Sequence, residues 1–161
     1  MAITKKNYEA AGVVARLKKA GATVTTAESI TAGGLAAAIT EVPGASEVFI
    51  GGLVAYSDAM KTTLLSVPKR IITKHTAVSE EVAIEMAENA REITKATYAI
   101  ATTGVAGPGS AYGQKPGTVW IAIASKKQTQ TIALALAGDR QTVRNATITS
   151  AIAAFERILL S

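Results

Sequence analysis

The chain has 161 residues, 48% of them hydrophobic, enough to bury a substantial core without staples, and the expectation is a single domain over residues 1–161. The absence of cysteine excludes disulfides, thiolate catalysis and thiolate-bound metal, and it fits a reducing, cytoplasmic setting. The net charge of +5 invites a nucleic-acid partner, but the basic residues are scattered, with no cluster larger than Lys5-Lys6 or Lys126-Lys127, and only 4% of the chain is aromatic; a small anionic ligand explains the balance with fewer assumptions.

Met1 to Lys6 is followed by a mixed amphipathic segment, and no run approaches the ~18 apolar residues that cross a bilayer, so neither targeting nor a membrane partner is expected. From Asn7 to Ala20, Ala11, Val14, Ala15 and Leu17 repeat at helical spacing, and Gly21 is a natural stop. Ala22 to Ala27 is β-rich and ends abruptly at Ser29; a small-residue helix is expected from about Ile30 to Glu41, closed by Pro43-Gly44. This places Ser29 at a helix N-terminus, where a hydroxyl serves either as a plain N-cap or as a nucleophile beside unpaired N–H groups. Glu28 has two readings as well, a ligand contact or a charge stabilising the helix dipole.

Val48 to Tyr56, mostly apolar with a Gly51-Gly52 pair, predicts a buried strand with a bulge or a close backbone approach. Ser57 or Asp58 caps a helix to about Leu65, and Pro68 to Lys74 forms a short turn-like or helical piece. Ser79-Glu80-Glu81-Val82 opens an amphipathic helix to about Ile93. Thr97 to Thr103 is a strand that runs into Gly104-Val105-Ala106-Gly107-Pro108-Gly109. Thr118 to Ala124 and Thr129 to Ala137 suit an antiparallel hairpin, and a last helix from near Asp139 uses Val143, Ile148, Ile152, Phe155, Ile158 and Leu159 as its apolar positions.

Alternating strands and helices with one late hairpin predict a three-layer α/β/α sandwich with a mostly parallel sheet and one antiparallel strand. In such sheets ligands bind beyond the strand C-termini, where Ser29, Tyr56-Ser57-Asp58 and Thr103-Gly104 would meet. Lys61 falls in the first turn of the helix after Tyr56. There the dipole and any burial lower the amine's basicity, which suits a neutral base next to a serine; the bland alternative is a solvated surface lysine. No G-x-S-x-G, S-x-x-K, Walker or H-E-x-x-H pattern is present, the acidic residues lack metal-ligand spacing, and His75, the one histidine, reads as a loop or capping residue. Arg140 and Arg144 lie one turn apart where a helix start repels cations, so either they share an anion or they pair with surface acids.

Ala27-Glu28-Ser29-Ile30-Thr31-Ala32-Gly33, Tyr56 to Lys61, His75 to Glu80, Gly104 to Pro108, Lys115 to Trp120 and Gly138-Asp139-Arg140 resemble, in order, the motifs of the CinA C-terminal domain family. The resemblance implies a three-layer fold with a five-stranded mixed sheet. It also implies hydrolysis of the carboxamide of nicotinamide mononucleotide by a serine–lysine pair, matching Ser29 and Lys61, with no metal or cofactor. Where the family usually has Cys-Thr-Gly, this chain has Ile30-Thr31-Ala32; a serine is common where Thr103 stands, and the loop after Pro108 is shorter than in many relatives. Thr103 or Tyr56 is expected to orient the lysine or the amide, N–H groups near Ser29 and Ile30 to bind the oxyanion, and Ile30, Thr31, Tyr56, Gly104, Ala106, Gly107 and Arg140 to contact a nucleotide substrate. A non-catalytic interaction module and a hydrolase of another amide or of a pyrophosphate-linked nucleotide are the competing expectations, and self-association is left open.

Overall fold

In the computed structural model, which describes residues 5–161, the chain runs α1 (Lys5–Ala20), β1 (Val24–Glu28), α2 (Gly34–Thr40), β2 (Phe49–Val54), α3 (Asp58–Leu65), α4 (Lys69–His75), α5 (Glu80–Thr94), β3 (Tyr98–Gly104), β4 (Thr118–Ala124), β5 (Thr129–Ala135) and α6 (Arg140–Leu160). One sheet has the order β2-β1-β3-β4-β5. β1 lies parallel to both β2 and β3, β4 is antiparallel to β3, and β5 is antiparallel to β4, so β4 alone opposes the common direction. Helices α1, α2 and α6 pack together on one face, and α5, flanked by α3 and α4, covers the other. This is the expected three-layer sandwich.

The two faces differ in grain. Toward α1 and α6 the sheet presents Val24, Ile100, Val119, Ile121 and Ile123, which meet Leu17, Ile152 and Phe155. Toward α5 it presents Ala27, Ala99, Ala101, Ala122 and Ala124, and α5 answers with Ala83, Ala87 and Ala90. Alternation along each strand separates the two sets, and alanine against alanine lets α5 lie close to the sheet. On the other side α2 approaches α6 so closely that a Cβ on Gly34 would stand 2.7 Å from Ile148 Cδ1.

Two expectations change. The strand at Phe49–Val54 is not buried: it forms the sheet edge, each residue half-buried or exposed, with Ile50 and Val54 open to solvent. Its continuous apolar run resembles that of a central strand, and periodicity cannot tell the two apart. The glycine pair does both things expected of it, since the β1–β2 register slips between Val24 and Thr25 and a Cβ on Gly52 would come within 2.6 Å of Thr26 Oγ1. The second helix starts at Gly34, not Ile30, so Ser29 is no helix cap; its N–H instead extends the sheet by donating to Thr102 O at 2.9 Å.

The ends of β1, β2 and β3, the start of β4 and the start of α6 gather along one rim. The Val105–Gly117 loop is closed at its base by Gly117, whose N–H donates to Val105 O at 2.7 Å and whose carbonyl accepts from Leu136 N–H at 2.9 Å. With φ +89° and a Cβ position 1.8 Å from Leu136 O, Gly117 tolerates no side chain. Gly117→Ala should therefore destabilise by about 2–5 kcal/mol, overpacking added to left-handed strain. A thermal midpoint within two degrees of wild type would contradict this account of the loop closure.

Candidate active site

The residue that builds the rim is Glu28. Its side chain is fully buried, and its carboxylate accepts from Thr26 Oγ1 (3.1 Å), Thr31 Oγ1 (2.6 Å) and the N–H groups of Gly33 (3.0 Å), Leu35 (2.9 Å) and Ala36 (2.8 Å). Of its two readings the dipole role is the one realised: it satisfies the opening N–H groups of α2 from the preceding strand. Between Glu28 and α2, residues 29–33 form a tight turn in which Ala32 has φ 47° and Gly33 φ 93°. Ala32 is exposed, so its left-handed conformation has no packing contact to offset it.

The turn delivers Ser29 to Lys61. Ser57 caps α3 by accepting the Met60 N–H at 3.1 Å, and Lys61 turns inward from the fourth residue of that helix. The lysine is 1% exposed, so the surface reading fails. Its Nζ donates to Ser29 Oγ at 2.9 Å and to the carbonyls of Ala55 and Tyr56 at 3.2 Å each. Burial pushes the Lys61 pKa below the ordinary lysine value, and the nearby Asp58 carboxylate only partly opposes it. The Asp58 oxygen is engaged by the Tyr112 hydroxyl at 3.0 Å, and that phenol is raised, first by burial and then by the same bond.

A cavity of about 190 Å³ opens on this pair, and Ser29, Lys61, Thr103 and Ile30 line its floor. Tyr56, Gly104, Ala106, Gly107 and Arg140 form its walls and mouth, so the predicted convergence is realised for every proposed contact except Thr31. Thr31 is buried and bonded to Glu28 and, at 2.7 Å, to Thr102 Oγ1. Thr103 does not orient the lysine by a hydrogen bond: its hydroxyl donates to Ala77 O at 2.7 Å, which leaves the oxygen of this cavity-lining residue able to act as an acceptor. Among the described residues Arg140 pairs with no acid. It donates to Gly107 O and to the Tyr56 hydroxyl, both at 2.9 Å, and three of its five N–H donors find no acceptor among the described residues. Arg144, which pairs with no acid among the described residues, donates from Nε to Ile30 O and from Nη2 to Thr31 O, both at 3.1 Å.

Ser29 N–H is committed to Thr102, so it is excluded as an oxyanion donor, while the N–H groups of Ile30 and Thr31 find no acceptor among the described residues. His75 stands apart, its Nδ1 3.1 Å from Glu81 Oε1. Tyr112 was not singled out by sequence, and Asp58 was named only as a cap and a member of the rim. A tyrosine beside glycine in a loop leaving a strand C-terminus was the available signal for Tyr112, which turns out at φ 53° beside Gly113 at φ 70°. Among the described residues no group of three or more His, Cys, Asp or Glu is placed to hold a metal, and no helix is long and apolar enough to cross a membrane.

The family model of the CinA C-terminal domain matches residues 6–159. The chain belongs to the CinA C-terminal domain family. It is 45% identical over 137 residues to a CinA-like protein of Myxococcus xanthus, covering 84% of this chain and 32% of that one. The chain thus spans about a third of the length of such relatives. Among solved structures it is similar to the competence damage-inducible protein A of Klebsiella pneumoniae, with TM-score 0.95, 35% identity and 98% of both chains covered. The competence/damage inducible protein of Agrobacterium tumefaciens gives TM-score 0.93 at 31% identity over 100% of both.

In this CinA domain the turn after the serine sets two expectations. Ala32→Gly should stabilise the protein by about 1 kcal/mol, because glycine adopts the left-handed conformation without the Cβ clash; a thermal midpoint that falls would show a contact that the turn geometry does not account for. Glu28→Gln should destabilise by about 3 kcal/mol, because an amide turns donors toward backbone N–H groups that need acceptors. Equal stability of Glu28→Gln and wild type across denaturant titrations would remove Glu28 from its role as the cap.

Proposed function

We propose that this CinA domain hydrolyses the carboxamide of nicotinamide mononucleotide to nicotinate mononucleotide and ammonia, with Ser29 as nucleophile and Lys61 as general base. The observation that carries the reading is the 2.9 Å contact of two buried side chains, Lys61 Nζ and Ser29 Oγ, at the floor of a cavity. A neutral amine has two N–H groups and one lone pair. The carbonyls of Ala55 and Tyr56 take the two N–H groups, so the lone pair is turned to Ser29 and the contact reverses, Ser29 O–H donating to Nζ.

Attack of Ser29 Oγ on the amide carbon passes the serine proton to Lys61 and places negative charge on the amide oxygen, within reach of Ile30 N–H. The lysine then protonates the departing nitrogen as the C–N bond breaks, giving ammonia and an acyl-serine ester. Water attacks that ester, Lys61 receives one of its protons and returns it to Ser29 Oγ as the C–O bond breaks, and the carboxylic acid released gives its remaining proton to solvent to become the carboxylate. Thr103 Oγ1, whose own proton goes to Ala77, is an acceptor suited to the amide NH2. Arg140 at the mouth, with free donors beside Tyr56, suits the phosphate. Retention of the complete serine–lysine contact argues against a drifted, non-catalytic module.

Ser29→Ala should lose at least about a thousandfold in turnover while staying folded, since the hydroxyl caps no helix. Turnover within a few-fold of wild type in the folded variant would remove the nucleophile. Because burial lowers the Lys61 pKa, its reactive neutral form grows as pH rises through that depressed value, so the rate should climb along one alkaline limb that Lys61→Met abolishes. A limb that survives in Lys61→Met and disappears in His75→Gln would transfer the base to the histidine. Arg140→Met should weaken nicotinamide mononucleotide by about 1.5–3 kcal/mol and its dephosphorylated riboside far less. Equal losses on both would place the phosphate elsewhere.

A further inference from the structure

Arg144 presents an unusual charge balance. It is half-buried in α6, two of its five N–H donors go to successive backbone carbonyls, and among the described residues it forms no ion pair with an acid. A cation set against neutral oxygens keeps most of its field available to whatever anion arises nearby. The two carbonyls belong to the turn that follows Ser29.

The path from the guanidinium to the site runs through planar peptide groups. Arg144 Nη2 donates to Thr31 O; the N–H of that same peptide, on Ala32, donates to Ser29 O at 3.1 Å; and the N–H of the next peptide is that of Ile30, which has no acceptor among the described residues and belongs to a residue lining the cavity. A trans peptide points its N–H opposite to its C=O, so fixing Ser29 O fixes the direction of Ile30 N–H. Each hydrogen bond in such a chain polarises the next, and a full positive charge at its head makes the terminal N–H a stronger donor. Nε on Ile30 O acts in the same way on Thr31 N–H. The fold does not depend on this fork, because the turn is already held by Ala32 N–H on Ser29 O and by Thr31 Oγ1 on Glu28 and Thr102.

We propose that Arg144 is the positioning residue of the oxyanion site, aligning and polarising the Ile30 N–H through the carbonyls of Ile30 and Thr31. The inference rests on the reading of Ser29 as nucleophile, and its test needs no knowledge of the natural substrate. An alkyl fluorophosphonate reacts with an activated serine by Oγ attack at phosphorus with loss of fluoride, and charge builds on the phosphoryl oxygen as it would on an amide oxygen. The rate of the mass shift at Ser29 is measured across pH for wild type, Arg144→Met and Arg144→Lys, with Ser29→Ala as the unreactive control.

Both arginine variants should keep thermal midpoints near wild type, label about 10- to 100-fold more slowly at every pH, and leave the midpoint of the alkaline limb unmoved, because the base is untouched. Arg144→Lys, which keeps a charge but loses the fork, should be slowed as well. With nicotinamide mononucleotide the loss should fall on kcat, with KM within about threefold of wild type. Variants that label as fast as a wild type modified at Ser29 would overturn this inference alone. So would slow labelling that follows a collapsed midpoint, a displaced alkaline limb or a loss confined to KM, each of which marks a merely structural role. A wild type that is not labelled at Ser29 would overturn the serine reading and this inference with it.

Discussion

A carboxylate buried without a cation is stable only when hydrogen-bond donors surround it, and Glu28 meets that condition with five. The donors come from β1, from the turn and from the first residues of α2, so a single group ties the end of a central strand to the start of a helix. Its backbone extends the control. Glu28 O accepts the Ala55 N–H at 2.9 Å, and Ala55 O is one of the two carbonyls that hold Lys61 Nζ. Ser29 is the adjoining residue. Ser29 and Lys61 therefore both take their position from one residue that does not line the cavity.

The lysine shows how basicity is set in such a place. A direct ion pair would stabilise the ammonium and raise its pKa, which defeats a base. Lys61 instead faces uncharged oxygens, and the acid that acts on it among the described residues, Asp58, is engaged by the Tyr112 hydroxyl. Desolvation is then the leading influence, and it lowers the pKa. The capping arrangement at Ser57 and Asp58 looks ordinary in isolation. Its consequence comes from Lys61 lying at the fourth position of α3 with its side chain turned inward.

The parts of this arrangement legible in the sequence are those written in spacing. Alternating β and helical runs gave the layers and the lone antiparallel strand, and serine, lysine and glycine signals at three strand ends located the rim. The hairpin from Thr118 and the cap at Ser79 followed from local chemistry alone. What spacing does not encode is where the chain stops being a strand without yet being a helix. Thr31 to Gly34 contain nothing that forbids a helix from Ile30; α2 is delayed by a side-chain contact that no spacing rule encodes, the Glu28 carboxylate reaching the N–H groups of Gly33, Leu35 and Ala36. The edge position of β2 and the partners of Arg144, 113 and 114 residues distant in sequence, are likewise properties of assembly.

The delayed helix alters the electrostatics of the site and not only its outline. A helix beginning at Ile30 would bring about half a positive charge of macrodipole to Ser29. In the observed turn that half charge, at Gly34, is met by the full negative charge of Glu28, so α2 offers little to a developing oxyanion. For the proposed hydrolysis, stabilisation has to come from sources the carboxylate does not quench. The peptide turn leaves Ile30 N–H without an acceptor among the described residues while its carbonyls are held from behind, and in the proposed reaction Arg144 and the lysine, once protonated by Ser29, bring positive charge from two other elements. The left-handed backbone at Ala32, strained by about 1–2 kcal/mol, is the local consequence of fitting such a turn between a strand and a helix that must start only four residues after the nucleophile's neighbour.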